Sequence, residues 1–270
     1  MYLVKPSTAV LLLAAALAVV GACRPEVGAT VRLNPRTFTS ADEAAIATAL
    51  FDANWRAANV PLLQPGTPGY NEKAGAYLTP LLEQLVTQAA VTRRDSFDWS
   101  VRLVLGSDEH AYALPGGQIV LHTGFLHALP DEAAYVGVLA RAVALVEQGA
   151  AMAAYDRAVE DNVLLGDLIL GNGDTDLALL VNLASTVTYT PEELAAADAL
   201  AAELVCPSNY LHEALPLAVA AIPEGTAYRR AHPTLEGWDA TFNTQVGACV
   251  GTDSTYATRY QEMLRRAIPL

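Results

Sequence analysis

The chain has 270 residues, of which 53% are hydrophobic, so it can bury one sizeable core and is not expected to be disordered. Its 16 basic and 29 acidic residues give a formal net charge of −13. This charge repels phosphate backbones and anionic headgroups, which excludes nucleic acid as an expected partner.

Residues 1–22 have the features of a secretory signal peptide, since Lys5 precedes the apolar run "AVLLLAAALAVV", which is too short for a transmembrane span. The next motif, "VGAC", resembles the bacterial lipobox, whose cysteine, here Cys23, is lipidated and becomes the mature N-terminus. Arg24 in place of aspartate favours the outer membrane, by resemblance to enteric lipoproteins. We therefore expect a periplasm-facing, lipid-anchored protein of a bacterial cell envelope. An ordinary signal peptide with a chance cysteine is the alternative.

Residues 23–37 carry two prolines and no helical period, and we interpret them as the lipidated cysteine and a tether. Residues 38–270 are then predicted to form a single domain. Ser40 with Glu43 three residues later is typical of a capping box and predicts a helix over 40–58.

A second helix is predicted over 73–91, with Pro80 either kinking it or starting its main part. Residues 99–124 hold the β-rich runs "VRLVL", "HAYAL" and "QIVLHT" between turn formers, which predicts a small antiparallel sheet. Pro115, Gly116 and Gly117 are expected to form a tight turn within it.

Further helices follow the sheet. Asp131 is predicted to cap a helix that continues to about residue 148, and apolar helical runs follow at 161–170 and 175–188. Thr190 as N-cap, Pro191 at the first position and Glu193 three residues from the cap then predict a helix start with a capping box. A last helix is expected near 253–267.

Cys206 and Cys249 are the two cysteines that remain once Cys23 is assigned to the lipid. An even pair in an oxidising compartment favours a disulfide, which would contribute on the order of 3 to 4 kcal/mol. Two buried free thiols are the alternative.

Four segments in the right order resemble the HtpX-like and CAAX-endopeptidase-like zinc metallopeptidases. They are "HAYALPGGQIVLHTGFL" at 110–126, "DEAAYVGVLARAVAL" at 131–145, "YTPEELAAAD" at 189–198 and "AHP" at 231–233. The resemblance implies an α+β, mainly helical zincin-like fold, with the small sheet beside the former active-site helix. It also implies that "GQIVLHTG" is an edge strand, and a sheet edge can bind an extended peptide.

The catalytic residues of the family are missing from the matching positions. The family motif H-E-x-x-H places two zinc ligands and a general base on one helix, and a glutamate on a later helix completes the site. The matching residues here are Arg141, Ala142, Leu145 and Leu194. Asp198 and His232 match retained family positions, but one aspartate and one histidine make a poor zinc site. We therefore predict no metal, no cofactor and no intact catalytic residue.

The replacements are consistent with a former site that has been packed shut. We expect Leu145 and Leu194 to fill the vacated volume, and the Arg141 guanidinium to pair with Asp198 in place of the metal charge. The alternative is that Arg141 extends to solvent at the helix surface.

Three functions follow from this interpretation. The first is a catalytically inactive, lipid-anchored peptidase homologue that binds unfolded or extended polypeptide as a chaperone, adaptor or assembly factor. The second is an active zinc-dependent endopeptidase with a rebuilt site. The third is a structural subunit of an envelope complex, with a fixed protein partner.

Overall fold

A computed structural model describes residues 30–31, 39–49, 62–63, 72–160, 175–176, 186–234, 237–247, 249 and 254–268. The predicted signal peptide, Cys23 and the run 161–170 lie outside the described residues, as do most of the tether and most of 175–188. The described part is mixed α and β and mostly helical, with a small sheet, as the sequence predicts.

The elements have the following bounds. The strands are β1 Thr30–Val31, β2 Leu62–Leu63, β3 Ser100–Val104, β4 Ala111–Leu114, β5 Gln118–His122 and β6 Thr175–Asp176. The helices are α1 Ser40–Ala49, α2 Glu72–Val86, α3 Thr123–Ala128, α4 Glu132–Glu147, α5 Ala150–Glu160, α6 Pro191–Val205, α7 Ala214–Ala221, α8 Ala227–Ala231, α9 Trp238–Val246 and α10 Ala257–Ala267.

Helix α4 is the centre of the core, and every residue from Glu132 to Val146 is buried. The helix starts where Asp131 accepts a hydrogen bond from the Ala134 N–H at 2.8 Å, which confirms the predicted cap. It packs most extensively against α6 and α7. Its approach to α7 is close at Gly137, where an added Cβ would lie 2.9 Å from the Leu215 nitrogen.

The start of α6 also follows the prediction. The Thr190 hydroxyl accepts a hydrogen bond from the Glu193 N–H at 3.2 Å, and the Glu193 carboxylate accepts one from the Thr190 N–H at 2.9 Å. The capping box therefore fixes the first turn of the helix that faces α4.

The predicted capping box at Ser40 is not formed, because α1 already includes Ser40 as its first helical residue. The Glu43 N–H instead bonds to the Thr39 carbonyl, and the Glu43 carboxylate pairs with Arg93 at 2.5 Å. The residues that would extend α1 beyond position 49 lie outside the described part. Helix α2 contains Pro80 and ends at Val86, five residues before the predicted end at residue 91.

The sheet is mixed, and the prediction of an antiparallel sheet was wrong. Its order is β2-β3-β5-β4, in which β5 runs antiparallel to β4 but parallel to β3. The β4–β5 hairpin is folded back so that β5 lies beside β3, and the order of strands along the chain gives no local signal for this arrangement. The second sheet is the pair β1–β6, so Thr30–Val31 in the predicted tether and Thr175–Asp176 in a predicted helix are extended. Both strands of this pair include β-branched residues, which favour strand pairing.

The turn between β4 and β5 is formed by Pro115, Gly116 and Gly117, as predicted. Both glycines have positive φ, +79° and +86°, which is costly for a residue with a side chain. At Gly116 an added Cβ would also lie 2.5 Å from the Glu43 carbonyl oxygen in α1. These glycines therefore satisfy a backbone and packing requirement.

No single described helix is both long enough and apolar enough to cross a membrane. Helices α4 and α5 together are long and apolar enough, but the chain bends by 74° between them.

Candidate functional site

The residues at the positions that the resemblance matches to the zinc site of the peptidases come together between α4 and α6. Arg141 and Leu145 lie one turn apart on α4, and Leu194 and Asp198 lie one turn apart on α6. All four side chains are buried in the core, with exposed fractions of 4% or less. The helix faces that the sequence comparison singled out therefore do face the protein interior.

Arg141 and Asp198 form a two-point ion pair. The Arg141 Nε donates to Asp198 Oδ1 at 2.6 Å, and Nη2 donates to Oδ2 at 2.8 Å. The side chains are 2% and 4% exposed, so water screens this interaction little. The predicted pairing is thus present, and the alternative of Arg141 extending to solvent was wrong.

Two aromatic side chains complete the surroundings of the ion pair. The Trp238 indole N–H donates to Asp198 Oδ2, and the Arg141 guanidinium carbon lies 4.8 Å from the centre of the Trp238 ring. Burial of the guanidinium opposes its charge, but nearby Tyr228 and Asp198 outweigh this effect, so the pKa of Arg141 is raised. The Arg141 side chain is therefore cationic at any physiological pH.

One guanidinium nitrogen, Nη1 of Arg141, is buried without a hydrogen-bond partner in the described part of the chain. Arg141 also lines a cavity of about 10 Å³, together with residues that include Leu145, Tyr228 and His232. A space of this size holds at most one water molecule. We use the name Arg141 site for the ion pair of Arg141 and Asp198, together with Trp238 and the cavity residues Leu145, Tyr228 and His232.

His232 lies against the same cavity, as its position in "AHP" predicts. Its ring stacks on Tyr228 with 4.1 Å between ring centres, and its Nδ1 is 3.0 Å from the Tyr228 carbonyl oxygen. Burial, followed by the positive charge of Arg141, holds the pKa of His232 well below its usual value. The imidazole is therefore neutral and is held by packing.

These residues do not fit a zinc ion. Arg141 brings a positive charge to the position of the first family ligand, Leu145 and Leu194 offer no donor atom, and Asp198 is already engaged by Arg141 and Trp238. In the part of the chain that the structure describes, no three His, Cys, Asp or Glu side chains converge as a metal site would require. The prediction that the protein uses no cofactor stays a prediction.

Leu145 and Leu194 differ in their relation to the small cavity. Both are core residues, but Leu145 lines the small cavity, whereas Leu194 is not among its lining residues. Leu145 therefore occupies volume beside the ion pair, and Leu194 contributes to the packing of α6 more generally.

Glu147 and Glu193 do not supply a replacement ligand. Glu147 accepts hydrogen bonds from the N–H groups of Thr92 and Arg93, and Glu193 pairs with Arg157 in addition to its capping role. These contacts account for both glutamates without a metal.

The prediction that β5 is an edge strand was wrong, because β5 is paired on both sides. Strand β4 lies at the edge nearest to α4, and Ala111, Tyr112 and Ala113 line the small cavity. All of β4 is buried, and the Ala113 carbonyl accepts a hydrogen bond from the Tyr189 hydroxyl at 3.4 Å. Neither strand therefore offers an open edge to a peptide in this conformation.

Tyr228 and Trp238 are members of the site that sequence reasoning missed. Tyr228 had a detectable signal, since it lies four residues before His232, a spacing that brings two helical side chains together. Trp238 had none, because its contact with Asp198 spans 40 residues and depends on how α9 packs on α6.

The predicted disulfide is present between Cys206 and Cys249, whose Cα atoms are 5.1 Å apart. It joins the end of α6 to the chain after α9 and closes a loop over a separation of 43 residues. This loop carries Tyr228, His232 and Trp238. The bond therefore constrains the segment that covers the Arg141–Asp198 ion pair.

A comparison with protein-family models found no match to this sequence, and a comparison with curated proteins found none either. The similarity to the HtpX-like peptidases thus depends on the four sequence segments alone.

Proposed function

We propose that this protein is a catalytically inactive relative of the HtpX-like zincin metallopeptidases, anchored in the bacterial envelope through a lipid on Cys23. In this proposal it binds unfolded or extended polypeptide as a chaperone, adaptor or assembly factor, facing the periplasm from the outer membrane. The observation that carries the proposal is the buried Arg141–Asp198 ion pair. It lies on the two helix faces where the resemblance expects zinc ligands.

The chemistry of these residues supports the loss of hydrolysis. Peptide hydrolysis needs an activated water or a nucleophile with a base, and the substrate carbonyl must be able to reach it. Both oxygens of Asp198 accept hydrogen bonds from Arg141 or Trp238, and Leu145 is apolar. The neighbouring cavity of about 10 Å³ is too small for a peptide group.

The covered edge of β4 affects how polypeptide would bind. A peptide that added a strand to β4 would have to displace Tyr189 from the Ala113 carbonyl and expose a buried strand. We therefore expect the polypeptide to bind at a surface groove, through side chains, and not as an extra strand of the sheet.

Three measurements on the full chain test this proposal: zinc content, binding of an unfolded protein and cleavage of casein. Zinc content by elemental mass spectrometry, on protein purified without chelators or a histidine tag, should be below about a tenth of an ion per chain. A reduced and carboxymethylated protein that cannot refold should bind measurably in titration calorimetry, and fluorescent casein should stay uncleaved. Neither the binding of the unfolded protein nor the absence of casein cleavage should change when a chelator is added.

Other outcomes would reject the proposal. Casein cleavage that a chelator stops, together with about one zinc per chain, would identify an active metallopeptidase. Failure to bind the unfolded protein, together with one stoichiometric envelope partner in a mild-detergent pulldown, would identify a structural subunit instead.

A further inference from the structure

A groove much larger than the small cavity shares Trp238 with the Arg141 site. It has a volume of about 690 Å³ and is lined by residues of α7, α8 and α9 and of the segments that adjoin them. Its apolar lining includes Pro216, Leu217, Ile222, Pro223 and Trp238. Leu217 is 50% exposed, and because it adjoins other apolar residues of the groove, it is part of a patch and not an isolated surface leucine.

The rim of the groove is acidic. The carboxylates of Glu213, Glu224 and Asp239 and the single guanidinium of Arg229 lie around it, which gives a local formal charge of −2. Glu224 lies 3.6 Å from Arg229, whereas Glu213 and Asp239 make no ion pair with any described residue. The rim therefore favours cations and repels phosphate and anionic lipid, as does the net charge of −13 of the whole chain.

Trp238 connects this groove to the ion pair. The residue lines the groove, and its indole N–H and ring contact Asp198 and Arg141. Aromatic side chains in this amphipathic setting are enriched at binding surfaces, because they offer a large apolar area at little cost in conformational entropy. A molecule in the groove would contact the side chain that covers the ion pair.

We propose that this groove binds an extended polypeptide segment that combines apolar and basic side chains. An apolar side chain would pack on Leu217 and Trp238, while flanking Lys or Arg side chains would pair with Glu213 and Asp239. The volume falls in the range of sites that hold a few residues of an extended chain. This inference rests on the proposed polypeptide-binding function and names its surface and the chemistry of its ligand.

The experiment is a titration of the full chain in detergent micelles with the blocked peptide Lys-Leu-Lys-Leu-Lys. The peptide lacks tryptophan, so in a Trp55→Phe, Trp99→Phe background the emission of Trp238 reports its arrival. Calorimetry on the parent gives the affinity. We expect a Kd of roughly 10 to 100 µM that weakens with added salt. The matched peptide Glu-Leu-Glu-Leu-Glu should bind at least about tenfold more weakly.

The chain offers a matched pair of variants. Leu217→Asp should weaken binding of the lysine peptide at least about tenfold. Leu105→Asp changes a leucine of similar exposure, 54%, that does not line the groove, and it should leave the Kd unchanged. Glu213→Gln with Asp239→Asn should lower the affinity and flatten its salt dependence. Near-ultraviolet circular dichroism should be the same for all of these variants.

Equal binding by Leu217→Asp and Leu105→Asp, or equal binding of the two peptides, would overturn the groove as the site. If Leu217→Asp still binds the carboxymethylated unfolded protein as the parent does, polypeptide binds elsewhere and only this inference fails. If the parent binds neither the peptide nor the unfolded protein, the proposed function fails as well.

Discussion

Arg141 and Asp198 are 57 residues apart in sequence, yet their side chains meet in a two-point ion pair within the core. The geometry matters because a buried charge without a partner costs several kcal/mol, whereas a well-packed apolar replacement of a whole pair can be neutral or stabilising. The two residues therefore act as a unit, and each depends on the other for its burial.

We predict that Asp198→Ala lowers the free energy of unfolding by about 3 to 5 kcal/mol, since it leaves Arg141 charged and unpaired and removes the acceptor of the Trp238 N–H. Arg141→Leu should cost much less in the Asp198→Ala background than in the parent. Urea unfolding of the four proteins measures this coupling.

Arg157 and Glu193 provide the matched control. They form the same two-point geometry, at 2.7 and 2.6 Å, but the Arg157 side chain is 38% exposed. Arg157→Ala should cost no more than about 1 kcal/mol. Additive losses at Arg141 and Asp198 would show that the buried pair is not coupled.

We further predict that the metal ligands can be restored. The set Arg141→His, Ala142→Glu, Leu145→His and Leu194→Glu places two imidazoles one turn apart on α4 and a carboxylate on the facing α6. If the sequence register is right, this variant should bind about one zinc per chain, measured by elemental analysis after dialysis.

The control for the restored site keeps Leu194 and carries only the three α4 substitutions, so that it lacks the third ligand. It should bind zinc at least about tenfold more weakly. A four-substitution variant that folds by circular dichroism but takes up no zinc would show that the register, and with it the family resemblance, is wrong.

The parts of the fold that could be predicted from the sequence depend on local chemistry. The Thr190 and Glu193 capping box, the Asp131 cap and the glycine turn are fixed by neighbours within a few residues. The Arg141–Asp198 pair was also predictable. Helical spacing determines which residues share a helix face, and a buried charge needs a partner of opposite charge.

Other features depend on contacts between distant segments and could not be predicted in the same way. The three strand-like runs predict strands, but their composition does not state that β5 lies between β3 and β4. The same is true of Glu132, a fully buried carboxylate that contacts Tyr77, Tyr210 and Arg259 from three other parts of the chain. Local spacing carries no information on these partners.

Reduction of the disulfide should loosen the cover of the Arg141 site. Without the Cys206–Cys249 bond, the unfolded chain gains loop entropy, so Cys206→Ser with Cys249→Ser should lower the free energy of unfolding by about 2 to 4 kcal/mol. Because Trp238 lies inside the closed loop, its fluorescence, isolated by Trp55→Phe and Trp99→Phe, should also become more accessible to a neutral quencher such as acrylamide. Unchanged stability and quenching in this double serine variant would contradict this role.

The stability should fall in acid through buried histidines, and His110 gives the sharpest test. It is 3% exposed, and neither ring nitrogen has a hydrogen-bond partner among the described residues. Burial, with smaller effects from His122 and Arg230, lowers the pKa of His110 from 6.5 to about 3.

Since the unfolded chain takes up a proton on His110 as the pH falls below about 6.5 and the folded chain does not, acid favours unfolding. His110 therefore lowers the free energy of unfolding by about 1.4 kcal/mol for each pH unit, until the pH reaches the pKa of His110 in the folded state. His110→Phe removes this proton and retains a ring that can pack on Tyr112, 4.8 Å away between ring centres. Urea unfolding between about pH 6 and pH 4 gives the change of the free energy of unfolding with pH. This slope should be lower in the variant than in the parent by about 1.4 kcal/mol per pH unit. An equal slope in parent and variant would mean that His110 is protonated in the folded protein.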